Sequence, residues 1–282
     1  SELCAYKRRV QKKGAGALTP VGGTQPNHGA GRMFEVAGKT CGRIGGSEGR
    51  GRGMAEQRSE EGAQVILAAR NGERLASLGS ALRGNRVLIL DVTDTDAVRA
   101  AAKSVGRIDG VIYNAGAYDP MPATDWDSHA ALQMADVNFM GAMRVLGEVT
   151  PKFVAQGHGD ITLIGSLAGY RGLPKAIGYG ASKAALVSLA ETMRHDLKDT
   201  GVTVRLINPG FIKTRLTEKN SFAMPMLMQA EDAAARVVQA MRTERFRTDF
   251  QRPVSWVMED LTILPDLALF STNNCRRRTH TR

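Results

Sequence analysis

The chain is poor in residues that would staple it or carry it through a membrane. Its 282 residues include three cysteines, Cys4, Cys41 and Cys275, an odd number without metal-like spacing. Two of them lie near the ends of the sequence, so neither a disulfide framework nor a structural zinc site is expected, and a reducing cytoplasm is the predicted location. No uninterrupted apolar run of about 18 residues occurs, which argues against a spanning helix. The opening is polar and basic and lacks the apolar stretch of a secretory signal. Acids are also scarce, with 28 Asp+Glu against 38 Lys+Arg, for a net charge of +10. That excess is not spread evenly. Residues 1–58 carry +7 and residues 275–282 carry +4, whereas residues 59–274 hold 23 basic and 24 acidic groups. A nucleic-acid-binding domain would place a basic face in its folded part. Basic tails alone give weak, non-specific attraction to polyanions, so no specific nucleic-acid partner is expected.

What is present is an ordinary folded composition, 43% hydrophobic and 23% charged. The length suits one α/β domain of roughly 200–250 residues with tails. Residues 14–53 contain thirteen of the 31 glycines, and such a segment buries too little to offset its ordering entropy, so residues 1–38 are predicted to be a disordered basic tail. Residues 39–250 are read as the folded domain and 251–282 as an extension with a second basic tail. Short apolar runs at 64–69, 86–90, 110–113, 161–164 and 202–207 alternate with helical stretches, among them Asn71–Leu82 with an Asn cap and Thr93–Val105. Strands apolar throughout and separated by helices predict a doubly wound, Rossmann-like parallel sheet covered on both faces. Ligands of such sheets bind beyond the carboxyl ends of the strands.

Chemistry-bearing residues stand at those ends. Gly165-Ser166 follows one strand, Tyr179 comes thirteen residues after Ser166, and Lys183 four after Tyr179. On a helix the i and i+4 side chains share a face. A tyrosine hydroxyl ordinarily ionises near pH 10, and a neighbouring ammonium favours its phenolate. A Tyr–Lys pair is therefore a plausible proton donor and acceptor, with a serine hydroxyl nearby to hold a carbonyl oxygen. Asn114-Ala115-Gly116 follows the 110–113 strand, Asn138 falls within the next long helix, and Asn208-Pro209-Gly210 with Thr214 follows the 202–207 strand. His158 and His195 have no partner pattern and read as surface residues.

In these motifs, their order and their spacing, the sequence from about Gly45 to Phe250 resembles the short-chain dehydrogenase/reductase family. The resemblance implies hydride transfer between a nicotinamide dinucleotide and an alcohol/carbonyl pair. It assigns proton exchange to Tyr179, cofactor-ribose binding and a lowered tyrosine pKa to Lys183, carbonyl orientation to Ser166, and a water linking Lys183 to solvent to Asn138. Asn114, Ala115 and Gly116 would border the cofactor, as would Pro209, Gly210 and Thr214. Asp91-Val92 is similar to the family's adenine-contacting pair. Family members commonly pair through the helices that here hold Asn138 and Tyr179, so a homodimer or homotetramer is expected. Ala131, Leu132, Ala135, Ala142, Leu146, Ala184, Ala185 and Leu189 are candidates for that surface.

The cofactor end departs from the family pattern. Gly45, Gly49 and Gly51 match its phosphate-cradling glycines, but Ile44 replaces the usual threonine and Arg50 a usual aliphatic residue. The first strand, Lys39–Ile44, has Gly42 and Arg43 where a central strand wants β-branched or aliphatic side chains. Arg58 likewise falls where the first helix would bury a leucine. A buried arginine is costly, so a poorly formed first strand is expected. The Gly/Arg-rich composition up to residue 53, like the Cys275–Arg282 tail, is also what out-of-frame translation produces. NAD-binding sheets place an acid at the end of the second strand; here Ala69 is followed by Arg70, whose guanidinium can meet a 2′-phosphate. NADP is thus favoured over NAD. Phe222–Met228, rich in adaptable methionine, fits either a lipophilic substrate or packing against the protein's own helices. Val254–Phe270 could extend a lid, form a subunit contact or lie on a membrane surface. Two rival functions stand beside the enzyme: a catalytically idle scaffold, motivated by the first strand, and a polyanion binder using the tails.

Overall fold

Alternating strands and helices build the architecture element by element. The computed structural model describes residues 38–45, 54, 59, 61–81, 85–214, 217 and 227–250. Its strands are β1 (Thr40–Ile44), β2 (Gln64–Ala69), β3 (Arg86–Ile89), β4 (Gly110–Tyr113), β5 (Gly159–Ile164), β6 (Val202–Asn208) and β7 (Arg247–Asp249). They form one sheet in the order β3-β2-β1-β4-β5-β6-β7, every neighbouring pair parallel. The helices are α1 (Gly72–Ala81), α2 (Thr95–Ser104), α3 (Ser128–Ala135), α4 (Gly141–Gln156), α5 (Ile177–Asp196) and α6 (Ala230–Met241). Caps set their starts: Asn71 Oδ1 accepts from Arg74 N at 2.9 Å, and Asp94 Oδ1 accepts from the Asp96 and Ala97 amides, which begins α2 two residues later than Thr93.

Alternation along the strands sends side chains to two cores. On one face Ile66, Val111, Tyr113, Ile161 and Leu206 pack with residues of α2, α4 and α5. On the other, Cys41, Ile112 and Ile207 pack with Met54 and with Ala234, Val237 and Val238 of α6. The predicted doubly wound sheet is therefore what forms. Strand order reverses between β1 and β4, and a ligand crevice belongs at such a switch point.

Two expectations about strands are corrected. Residues 86–90 were expected as a buried strand, but β3 is the sheet's edge, and Val87 and Ile89 are exposed to 46% and 72%. An apolar run does not distinguish a central strand from an edge one. Conversely, β1 is well paired, bonded in register to β2 over Thr40–Ile44 and to β4 over Cys41–Ile44. Ladder bonds are backbone bonds, so Gly42 and Arg43 do not prevent them. Their effect is on packing. Arg43 is carried into the interior at 2% exposure. On the opposite face the missing side chain of Gly42 borders a small apolar cavity lined by Ile66, Ala68, Val98, Ile108, Val111 and Val145, among others.

Among the described residues no helix is long and apolar enough to cross a membrane, and no group of three or more metal-ligating side chains gathers. The expectations for residues 1–37, for Gly49, Arg50, Gly51 and Arg58, for Phe222–Met226, and for residues 251–282, including Val254–Phe270 and Cys275–Arg282, lie outside the described residues. Met228, at the edge of the methionine-rich run, packs against Ile212, Ala230 and Ala233 of the protein's own core.

Candidate active site

The carboxyl ends of β1, β4, β5 and β6 converge at one edge of the sheet. After β1 the chain turns at Gly45 with φ +83°, a left-handed conformation that suits glycine. A Cβ at Gly45 would come within 2.4 Å of Ala115 Cα and N, so only glycine permits this approach to the segment after β4. Gly45 N donates to Ala68 O at 2.7 Å, and Asn114 closes the junction by donating from N to Ile44 O at 2.8 Å and from Nδ2 to Gly45 O at 3.2 Å. Asn114 thus ties the first glycine of the turn to β4 across the switch point.

Further along that edge, Ala69 ends β2 and Arg70, which follows it, is exposed. Asp91 and Val92 lie beyond β3, Val92 buried and Asp91 partly so. Burial works to raise the Asp91 carboxyl, but hydrogen bonds from Thr93 N and Oγ1 and the nearby charges of Arg70 and Arg144 outweigh it and hold the pKa below the usual aspartate value. Arg70 and Asp91 therefore sit close enough to feel one another.

The proton-handling side chains come from α5. Tyr179 and Lys183 are one turn apart, and Lys183 Nζ lies 5.8 Å from the Tyr179 ring centroid. Lys183 is only 5% exposed, and its ammonium donates to Ile164 O, the last carbonyl of β5, at 2.9 Å. Directly after that carbonyl comes Gly165-Ser166. Ser166 is extended, and its Oγ accepts from Ala168 N at 3.2 Å, capping a short 3₁₀ turn over Leu167–Gly169. The capping bond uses a lone pair of the hydroxyl, which keeps its hydrogen for donation.

Asn138 falls within the long helical run Ser128–Gln156, as expected, at a π turn, Asp136–Met140, that joins α3 to α4. Single π turns inside helices often mark functional sites. The turn frees helix carbonyls, and Tyr113 Oη donates to Val137 O at 2.5 Å. Asn138 itself is fully buried. Its Oδ1 accepts from Ala117 N at 2.7 Å, while Nδ2 donates to Ala117 O at 3.0 Å and to Ser182 Oγ at 2.9 Å. Ser182 Oγ donates on to Tyr179 O at 2.8 Å. Both amide hydrogens are thus taken by protein oxygens, and the side chain acts as a clamp between the segment after β4 and the helix of Tyr179.

Tyr118 and Ser182 were missed by the sequence reading. Tyr118 meets Tyr179 edge to face, ring centroids 4.8 Å apart, and burial together with Tyr179 raises its pKa. Ser182 had a signal, since it is three residues after Tyr179 on one helix; Tyr118 had none. On the β6 side, Pro209 O accepts from Leu167 N at 3.4 Å, Gly210 follows, and Thr214 N donates to Thr217 Oγ1 at 2.9 Å. His195 is exposed as expected, whereas His158 has a partner in Asp109, with Nε2 3.3 Å from Oδ1, at the opposite edge of the sheet.

A parallel sheet with a glycine turn at its switch point and a Tyr/Lys face beside a serine defines a nucleotide-dependent oxidoreductase class. The family model described as short chain dehydrogenase matches residues 42–224. A curated relative, an uncharacterized oxidoreductase of Myxococcus xanthus, is 37% identical over 209 residues, covering 71% of this chain and 83% of the relative. Two solved structures share the fold at 24% identity: a short chain dehydrogenase from Burkholderia cenocepacia in complex with NADP (TM-score 0.76, covering 85% of this chain and 98% of that one) and a short chain dehydrogenase/reductase from Burkholderia phymatum in complex with NAD (TM-score 0.74, 80% and 93%). The chain belongs to the short-chain dehydrogenase/reductase family.

Proposed function

We propose that this chain is an NADP(H)-dependent oxidoreductase that interconverts an alcohol and a carbonyl on a small-molecule substrate. The observation that carries the reading is the buried Lys183 ammonium one turn from Tyr179, fixed to the end of the strand that delivers Ser166. The cradle fits a dinucleotide: Gly45 and Ala115 pack backbone to backbone at the switch point, Asn114 bonds the turn, and Asp91 and Val92 lie beyond β3. Bound there, the cofactor would supply or accept the hydride at the carbonyl carbon. The chain's own residues do the rest. Ser166 donates to the carbonyl oxygen and orients it. Tyr179 gives that oxygen a proton in the reducing direction and takes one in the other. Lys183 stabilises negative charge on the Tyr179 oxygen and would help hold the ribose of the bound dinucleotide. Asn138 keeps the Tyr179 helix in register with the segment after β4.

NADP is preferred to NAD because β2 ends at Ala69 and is followed by Arg70, with no acid to repel a 2′-phosphate and a guanidinium to pair with it. Cysteine usage supports a cytoplasmic location, and the family's habit of pairing through the helices around Asn138 and Tyr179 supports a homodimer or homotetramer. A second reading, a scaffold that keeps the fold without turnover, is favoured by Arg43 and Gly42 in β1. Fluorescence titration with NADPH, followed by turnover of a panel of ketones, quinones and aldehydes, tests both. Binding with turnover that is lost in Tyr179→Phe supports the enzyme. Binding without turnover of any panel member supports the scaffold, and no binding removes the nicotinamide reading.

A further inference from the structure

A second polar cluster lies beside the serine turn, where β6 and β7 end. Asn208, the last residue of β6, is fully buried. Its Nδ2 donates to Tyr170 Oη at 2.9 Å and to Asp249 Oδ1 at 2.8 Å, and Tyr170 Oη donates to the same Asp249 oxygen at 2.6 Å. Three elements thus close a triangle: the turn after β5, the end of β6 and the end of β7. The Arg247 guanidinium lies 5.4 Å from the Tyr170 ring centroid and pairs with Glu191 of α5. Burial and the bond to Asp249 raise the Tyr170 pKa, which keeps the phenol protonated as the triangle requires.

The other end of the Asn208 amide is less ordinary. Oδ1 is buried and has no hydrogen-bond partner among the described residues. It rests over Gly165, where a Cβ would come within 2.0 Å of Oδ1 and 3.2 Å of Cγ. Buried polar atoms are seldom left unbonded. Here the amide cannot turn to find a partner, because Nδ2 is committed to Tyr170 and Asp249. Gly165 N donates to Ile207 O at 2.8 Å and Leu167 N to Pro209 O at 3.4 Å. Ser166 stands between these two anchored residues, and Tyr170 follows it by one helical turn.

We propose that Tyr170, Asn208 and Asp249 are positioning residues that hold the Ser166 turn in register with Tyr179, acting through the contact of Asn208 on Gly165. The inference rests on the carbonyl-orienting task given to Ser166 above. Removing Tyr170 Oη or the Asp249 carboxylate takes away one of the two bonds that fix the amide, and removing Asn208 takes away its contact on Gly165; in each case the serine turn is freer to shift. A displacement of about 1 Å near the chemistry costs on the order of 100-fold in rate.

The test uses the full chain and two readouts, steady-state kinetics on a substrate from the panel and site-resolved amide hydrogen exchange. Tyr170→Phe removes one hydroxyl and keeps the ring; Asn208→Ala removes the clamp. Both should lower kcat by on the order of 10–100-fold while NADPH Kd stays within about twofold. Exchange at Gly165 and Leu167 should quicken, with amides of β4 and β5 unchanged. Gly165→Ala should abolish turnover, and Asn208→Ala in that background should restore part of it by removing the clash. Unchanged exchange at Gly165 and Leu167 in both single variants overturns the inference, as does a uniform rise across the sheet, which would mark general loosening. The two readings fail separately. Should no substrate be turned over, exchange still decides the positioning role. Should Tyr179→Phe be inactive while Tyr170→Phe is as fast as wild type, positioning alone falls.

Discussion

Tyr179 and Lys183 carry different loads in the proposed chemistry, and single substitutions separate them. Tyr179→Phe removes the proton-exchanging hydroxyl but leaves the ring in its edge-to-face contact with Tyr118. Positioned acid–base groups contribute roughly 10²–10⁴-fold, so kcat should fall by that amount while NADPH titrates as before. Lys183→Ala should harm both, because the ammonium is assigned to the phenol and to the ribose, and because its loss leaves Ile164 O without its 2.9 Å donor. Arg70 is tested by selectivity. Hydrogen bonds to charged groups contribute about 1.5–3 kcal/mol, so Arg70→Ala should weaken NADPH by on the order of 10–100-fold and leave NADH nearly unchanged. Equal losses for the two dinucleotides, measured by fluorescence, would remove Arg70 as the discriminator.

At the scale of elements, the sheet was legible and its irregularities were not. Apolar runs of strand length gave β2, β4, β5 and β6, and helix capping by Asn71 was readable because its side chain acts locally. The edge position of β3 depends on pairing order, which composition does not encode. The π turn at Asn138 depends on what Tyr113 and Ala117 offer it from elsewhere in the chain. The pairing of β1 escaped for the opposite reason, since side-chain preference was weighed where backbone bonding decides. The cavity beside Gly42 makes this testable. A Cβ there would meet Ile108 Cδ1 at 3.6 Å and Gly110 O at 3.7 Å, ordinary contact distances. Gly42→Ala should stabilise by about 0.5–1 kcal/mol from backbone entropy and about 0.8 kcal/mol from the added methyl group, read as a raised Tm with cofactor binding unchanged. The start of β1 is pinned by Asp109, whose Oδ2 accepts from Thr40 N at 2.9 Å. Burial pushes the Asp109 carboxyl up, but this bond, His158 and Lys39 hold it below the ordinary value of about 3.8. A depressed folded-state pKa contributes stability above the unfolded-state value, and that stability is lost as pH falls through the folded one. Acid unfolding followed from pH 6 to about 2 should therefore be less steep in Asp109→Asn than in the wild type.

At the scale of the whole molecule, what matters is the surface that the helices of the site present outward. Of the residues named from sequence as a subunit surface, Ala131, Ala142 and Leu146 are 8%, 0% and 4% exposed and serve the chain's own core. A helix on a doubly wound sheet must first cover that sheet, and periodicity alone does not say which apolar stripe does so. Of the same set, Leu132 on α3 is 70% exposed and Ala184 on α5 is exposed, and Met140 and Met143, at 44% and 43%, join them along the run from α3 through the π turn into α4. Large apolar side chains gathered on a rim of helices are the kind of surface that self-association buries, and in a twofold pair each would be placed against its counterpart or a near neighbour. Replacing Leu132 by aspartate would bring two carboxylates into that contact and strip the water from both. Sedimentation at micromolar concentration should find the wild type as a dimer or tetramer and Leu132→Asp shifted toward monomer, with NADPH binding kept because the glycine turn and Arg70 are on other elements. A wild type that sediments as a monomer would remove the pairing, and a Leu132→Asp chain that stays dimeric would move the interface away from α3.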